Sequence, residues 1–543
     1  MSNLFKKIFK KENLLLFLLF IFLFLIKEIN YLFYDTKESP DFPEYFIYLE
    51  HFFSKNTITL REHGLAYYYL HAANIFYSFD NLTNFEIHLH KSIQEINFYL
   101  FTLGLFGYYL LLRLYDFKKS TIYKTFILIN FFPPTIALRL SFKPEILAFT
   151  LLPYIIFLIE KFIRSNEKKY LFLSIPFIVT TLTIKGNVLV IVSLYLFYKY
   201  WKLLIKTNWK LLFTFIFLVI TSLFFITIEN NQANGKNIFE LQSGATLRKN
   251  YDFKAPPNII YNTNLYKLMS SPIKHNHAGS FIGITLLDTF GDYFDLFWDN
   301  DGTIYSQNQH DFFDFQLSNE IKFPSLDLKN DVLIFYQQKN TDVYFYELLS
   351  LFLSVYFYYL LISYIFKSTE FRSYLIAVIF GMVILLFHAI TGLPENNFDP
   401  NVGDTFKPLY YSFTLILSTI FLFTLLIKDN KLNIFNSTVY ILLILNIFGF
   451  PKIYDYELYP SLSIKIENSF FCNLEKNYFL DEDFKAQTDC NESKIIDQED
   501  SILQNYFNHE PINLIFIFLI MFSIIYLFFY ENSFLFLRKK EFS

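Results

Sequence analysis

Charge is what this sequence has least of for its length. Asp, Glu, Lys and Arg make up 18% of the 543 residues and gather in short clusters between long apolar runs. A water-soluble chain of this size divides into domains in which about a quarter of the residues are charged, so that class is excluded. A net charge of −4 provides no basic surface of the kind nucleic acid requires. No Gly-rich phosphate-cradling loop and no nucleophile elbow is present, so energy coupling by nucleotide hydrolysis is not expected. There is no internal repeat of the transporter kind and no Gly/Ser-rich linker. His88 and His90 follow Glu86, and His275 and His277 form a second pair, but neither pair has a third ligand at a fixed spacing. Only two cysteines occur, Cys472 and Cys490.

What remains is apolar. Hydrophobic residues reach 53% and the mean hydropathy is +0.31. The 72 Phe and 41 Tyr accompany equally heavy use of Ile, Lys and Asn, a composition typical of AT-rich codons, so aromatic abundance alone says nothing about function. Lys6, Lys7, Lys10 and Lys11 precede the apolar run 14–26 in the manner of a secretory signal. Lys27, Glu28 and bulky residues then stand where a cleavage site would need small ones, which predicts an uncleaved first helix.

Runs long enough to span a bilayer, or nearly so, predict helices over 13–33, 96–114, 122–141, 146–163, 170–185, 187–204, 211–228, 346–366, 373–391, 409–427, 433–450 and 512–530. The third is interrupted by Pro133 and Pro134. The expected fold is all-α, a polytopic integral membrane protein of about twelve transmembrane helices. It divides into a transmembrane module over 1–228, a large loop over 229–345 and a second helical part over 346–543.

Alternate connections are basic: Lys6–Lys11; Arg113, Lys118 and Lys119; Lys161, Arg164, Lys168 and Lys169; Lys199, Lys202, Lys206 and Lys210; Lys367 and Arg372; Lys428 and Lys431; Arg538–Lys540. The positive-inside rule places these, and both termini, in the cytoplasm. Segments 35–95, 229–345 and 451–511, after helices 1, 7 and 11, then face outward. Both cysteines fall in the last of these, which suggests a Cys472–Cys490 disulfide in an oxidising compartment; the alternative is two unrelated thiols.

The first outward segment is dense with polar side chains: Asp35, Glu38, Asp41, Glu44, His51, Arg61, Glu62 and His63. Asp41 lies just outside the first helix, with Tyr45 one turn later. Its carboxylate suits a general base acting on an acceptor hydroxyl, and equally suits an acidic helix start after Ser39-Pro40. Residues 64–79 are apolar but too short to cross comfortably, which favours a helix lying on the membrane surface. Arg139, Lys143, Lys185 and Lys407 sit at outer helix ends, against the orientation rule. They can either gather on the phosphate of a lipid-linked substrate or snorkel singly to headgroups.

Several segments, in order, resemble the GT-C class of membrane glycosyltransferases, the superfamily of the protein mannosyltransferases and of bacterial lipid A and cell-wall glycan enzymes. They are Asp41 to Tyr45 after the first helix; Leu65-Ala-Tyr-Tyr-Tyr-Leu70, with His63-Gly64 in place of the family's prolines; Ser141-Phe-Lys-Pro-Glu145; Thr183-Ile-Lys-Gly186; and Leu287-Asp-Thr-Phe-Gly-Asp-Tyr293 with Trp298. The likeness covers about the first 300 residues. The family's adjacent Asp-Glu pair is absent, since Phe42 follows Asp41, and this leaves both Asp41 and Asp35 as candidates for the catalytic acid.

The resemblance implies that a sugar moves, with inversion, from a polyprenyl-phosphate carrier to an extracytoplasmic glycan, lipid or protein acceptor. Asp41 or Asp35 would deprotonate the acceptor; Arg139, Lys143, Lys185 and Lys407 would steady the lipid phosphate; and Tyr45, His63, Glu145 and Asp292 would position the reactants. No metal site is indicated and no cofactor is called for, although a divalent cation is compatible with the chemistry. The expected partners are the lipid-linked sugar and membrane lipids, with no nucleic acid, and the expected location is a bacterial inner membrane. Three other readings stay open: a transporter or flippase, an O-antigen polymerase or ligase, and an accessory subunit without chemistry of its own.

Overall fold

The computed structural model describes residues 64–78, 85–206, 208–233, 263–270, 280–290, 348–391, 408–429 and 511–537, together with residues 19, 21, 23–25, 48, 49, 272 and 277. Among the described residues there is no β-strand. Long runs of Leu, Ile and Phe with few partners for an open backbone leave the helix as the conformation that satisfies each N–H and C=O within its own segment. The principal helices are α1 (Ala66–Ser78), α2 (Phe85–Leu114), α3 (Lys119–Ile129), α4 (Pro133–Leu140), α5 (Glu145–Ser165), α6 (Lys168–Thr183), α7 (Gly186–Lys206), α8 (Trp209–Ala233), α9 (Phe281–Asp288), α10 (Leu348–Lys367), α11 (Ala377–Thr391), α12 (Ser412–Lys428) and α13 (Pro511–Leu537).

Five of them are long and apolar enough to cross a membrane: α2 from Lys91 onward, α5, α8, α10 and α13 through Phe528. The set is compatible with an integral membrane protein. The stretch read from sequence as one helix over 122–141 is instead a bent pair, α3 and α4, turned by 71°. Pro133 and Pro134 occupy the first positions of α4, where their missing N–H groups cost least, and Phe132 before them is extended. The helix expected to begin at 96 begins at Phe85. The region expected over 433–450 lies outside the described residues, as does most of 13–33.

The chain forms two compact units that interleave along the sequence. One takes in Met1–Phe42, Tyr123–Phe142 and Asn250–Asp497; the other takes in Pro43–Ile122, Lys143–Lys249 and Gln498–Ser543.

In the second unit α5 is central. It is buried along nearly its whole length, whereas α8 is largely unenclosed, with Trp209, Phe213 and Phe217 exposed. Apolar side chains exposed all round a helix suit lipid rather than water. α2 packs closely on α5 because Gly104 leaves room for Phe149, whose ring edge lies 2.5 Å from where a Cβ would stand. Thr150 and Tyr154 donate across the same interface to the carbonyls of Leu100 and Leu103, at 2.9 and 2.7 Å. α5 ends at Asn166, which adopts the left-handed conformation with φ 58°.

α1 forms where the sequence predicted a helix, but Leu65 and Tyr67–Tyr69 are completely buried within this unit. Its polar face explains why. Tyr67 donates to Asn97 at 3.0 Å, His71 meets Ser92 at 3.1 Å and Asn74 donates to Glu95 at 3.3 Å. Positions 67, 71 and 74 recur on one helical face, which lies along the N-terminal half of α2.

The C-terminal helix is tied back by a carboxylate. Glu229, near the end of α8, accepts from the backbone N–H groups of Ile512 and Asn513 and from the Asn513 amide, each at 2.6 Å. It thus satisfies N–H groups that the first turn of α13 leaves unbonded, from a position 284 residues earlier in the chain for Asn513.

The first unit is built on α12. Thr424 meets Thr125 of α3 at 3.1 Å, and Ser418 accepts from the Val378 N–H at 3.1 Å while donating to the Tyr374 carbonyl at 3.0 Å. Phe132, at the bend between α3 and α4, packs edge-on to Phe290 and against Phe357 and Phe423.

Candidate functional site

The start of α5 fixes one acid. Pro144 takes the N-cap position in an α-like conformation, so Glu145 enters the first helical turn, where the helix dipole favours a negative charge. Its side chain is completely buried. A carboxylate in that position needs a cation or several donors.

The cation comes from the turn between α6 and α7. Thr183 closes α6, its hydroxyl bonding back to the Thr180 carbonyl at 3.0 Å and the Val179 carbonyl at 3.1 Å. Two residues later Lys185 donates from Nζ to Glu145 Oε1 at 3.1 Å. The lysine is 16% exposed in its side chain and the glutamate not at all. Lys143, two residues before Glu145, is also buried.

The third segment of the arrangement is the entry to α1. The Gly64 N–H donates to the Ile184 carbonyl at 2.9 Å. A Cβ on Gly64 would stand 2.1 Å from the Thr183 carbonyl oxygen, so this position accepts no side chain. One turn on, the Tyr67 hydroxyl bonds to Asn97, is in hydrogen-bonding contact with the Lys143 backbone and lies within electrostatic reach of Glu145. Segments around residues 64, 143 and 183 thereby form one buried cluster in the second unit, with a carboxylate at its centre. Next to it, in a helix outside the candidate spans, burial pushes the His71 imidazole down to about 3, so that ring stays neutral.

A Gly64→Ala protein is expected to fold with the α1 entry pushed away from the Thr183 turn. The neighbouring atom is backbone and cannot rotate aside, so a loss of about 1–3 kcal/mol should appear as a lowered thermal midpoint in detergent. An unchanged midpoint would show that the close approach is not maintained.

Of the residues singled out from sequence, the structure joins Glu145 directly to Lys185 and places Lys143 in the same turn as Glu145. Arg139 belongs to the other unit, where its Nη1 and Nη2 donate to the Asn130 side-chain and backbone oxygens at 2.7 and 3.2 Å. Asp35, Asp41, Tyr45, His63, Asp292, Lys407, Cys472 and Cys490 lie outside the described residues. Sequence reasoning missed Asn97, and it named Glu145 and Lys185 separately without pairing them. Among the described residues no three His, Cys, Asp or Glu side chains gather as a metal site would need.

No protein-family model, curated protein or solved structure matches this chain.

Proposed function

We propose that the chain is a membrane glycosyltransferase of GT-C type, with about twelve spans, that moves a sugar from a polyprenyl-phosphate carrier to an extracytoplasmic acceptor. The observation that carries this reading is the convergence of three separate segments. The Gly64–Tyr67, Lys143–Glu145 and Thr183–Lys185 stretches, each similar to a motif of that class, are brought within hydrogen-bonding distance of one another. A functional site assembled from distant segments is a stronger sign than any one short motif.

In this reading Lys185, oriented by Glu145, and Lys143 offer positive charge to the phosphate that leaves with the lipid. Asp41, or failing it Asp35, takes the proton from the acceptor hydroxyl. The site would then lie at the outer edge of a bacterial inner membrane, with both termini in the cytoplasm, a placement that the alternation of basic connections supports.

The test is a turnover assay in proteoliposomes supplied with radiolabelled polyprenyl-phosphate sugars and envelope extract as acceptor. The expected result is label moving from the lipid to a second product, with bare polyprenyl phosphate appearing in equal amount. Intact donor recovered in full, whichever sugar and acceptor are supplied, would defeat the proposal. Movement of the intact lipid-linked sugar between leaflets would favour a flippase.

A further inference from the structure

Glu145 uses only half of its carboxylate on protein. Oε1 accepts from Lys185 at 3.1 Å, while Oε2 is shielded from solvent and has no hydrogen-bond partner. Such an oxygen is costly. An unsatisfied acceptor on a buried charged group loses its water without replacement, and native chains retain few of them.

The surroundings define what belongs there. A second cation is not required, since Lys185 already balances the charge, and among the described residues no group of three His, Cys, Asp or Glu side chains gathers to hold a metal ion. The Tyr67 hydroxyl, within electrostatic reach of Glu145, is committed to Asn97 and the Lys143 backbone. An uncharged donor would satisfy Oε2, and a sugar hydroxyl has that chemistry. It donates a short, charge-assisted bond to a carboxylate and needs no counter-charge of its own.

We infer that Glu145 recognises the sugar of the lipid-linked donor, with Oε2 accepting a hydrogen bond from a ring hydroxyl while Oε1 holds Lys185. This rests on the glycosyltransferase reading and adds to it a residue that distinguishes the loaded carrier from the spent one. A site that hydrogen-bonds a substrate hydroxyl discriminates strongly against a ligand lacking it, because its own polar atom is left unpaired. After transfer the bare lipid phosphate no longer fills Oε2, which favours its exchange for a loaded carrier.

The experiment compares binding of undecaprenyl phosphate, bare or carrying glucose, galactose, mannose or arabinose, to the full chain in nanodiscs of phosphatidylcholine and phosphatidylethanolamine. These headgroups lack the glycerol hydroxyls that would compete for Oε2. Wild type should prefer at least one sugar-bearing lipid over the bare carrier by about ten-fold or more. In E145Q, which retains an oxygen for Lys185 and lacks the charge, that preference should shrink to about two-fold, the sugar-bearing lipid losing more affinity than the bare carrier. Equal weakening of loaded and bare lipids would mean that Glu145 only orients Lys185, and the inference fails. Wild-type binding of the carrier without any sugar preference also overturns it, while leaving the transferase proposal standing. Binding of no carrier at all sinks that proposal and this inference together. Should E145Q fold poorly, E145D retracts the charged group by about 1.5 Å, one carbon–carbon bond, and must lose the preference in the same way.

Discussion

Replacing Lys185 with methionine will leave the Glu145 carboxylate buried without its cation, and the protein will lose about 3–5 kcal/mol of stability. The size follows from burial. A fully enclosed carboxylate cannot draw on water once its partner is gone, whereas an exposed pair would cost about 1 kcal/mol or less. Methionine preserves length and packing, so the loss reports charge rather than a cavity. Thermal unfolding in nanodiscs measures it, with E145Q/K185M as the control. Removing both charges avoids an isolated buried ion, so the double variant should recover most of the stability that K185M loses. A K185M protein as stable as wild type would show that the pair is not maintained in solution. Binding of undecaprenyl phosphate should fall in K185M and stay low in the double variant, since the ammonium is missing from both.

The difference between what the sequence discloses and what the fold adds is clearest at this site. That the chain is helical and apolar follows directly from long Leu, Ile and Phe runs. The break at Pro133–Pro134 is also visible, because two residues without N–H groups cannot continue a helix; the 71° turn is not, since it depends on Phe132 seating against Phe290 and Phe357. The burial of α1 escaped the reading of residues 64–79 as a surface helix. Hydropathy sees an apolar 13-residue stretch but not the Tyr67–Asn97 and His71–Ser92 bonds that hold it against α2. Lys143 and Lys185 stand out in the sequence as cations at outer helix ends, and Glu145 only through the Ser141–Glu145 motif. Their pairing was hidden because it joins positions 40 residues apart through the packing of α5 on α6. The Glu229 link to α13 was hidden for the same reason, across 284 residues.

The second large effect concerns the base. Under the proposed mechanism Asp41→Asn should lower sugar transfer by about 10²–10⁴-fold, the range that general-base catalysis contributes. Asparagine keeps the shape of the side chain and removes its ability to take a proton, so folding and polyprenyl-phosphate binding should persist. Asp41 and Tyr45 lie outside the described residues, and the assignment therefore rests on their place in the chain just past the first helix. Asp35 is closer to that helix and expected at headgroup level, so Asp35→Asn should have the smaller effect. The assay is initial rate at saturating donor, read beside binding of the bare carrier. Near-normal transfer by Asp41→Asn would remove Asp41 from the mechanism. If Asp35→Asn were also active, the transferase reading would lose its chemistry.

The most direct test of the central claim is a cryo-EM map of the chain in nanodiscs with undecaprenyl phosphate added. The account predicts phosphate density within about 3 Å of the Lys185 ammonium, beside the Glu145 turn, with the polyprenyl tail running outward between helices of the second unit. Phosphate density at a different place, or a Lys143–Glu145–Lys185 cluster closed by protein alone at saturating lipid, would contradict it.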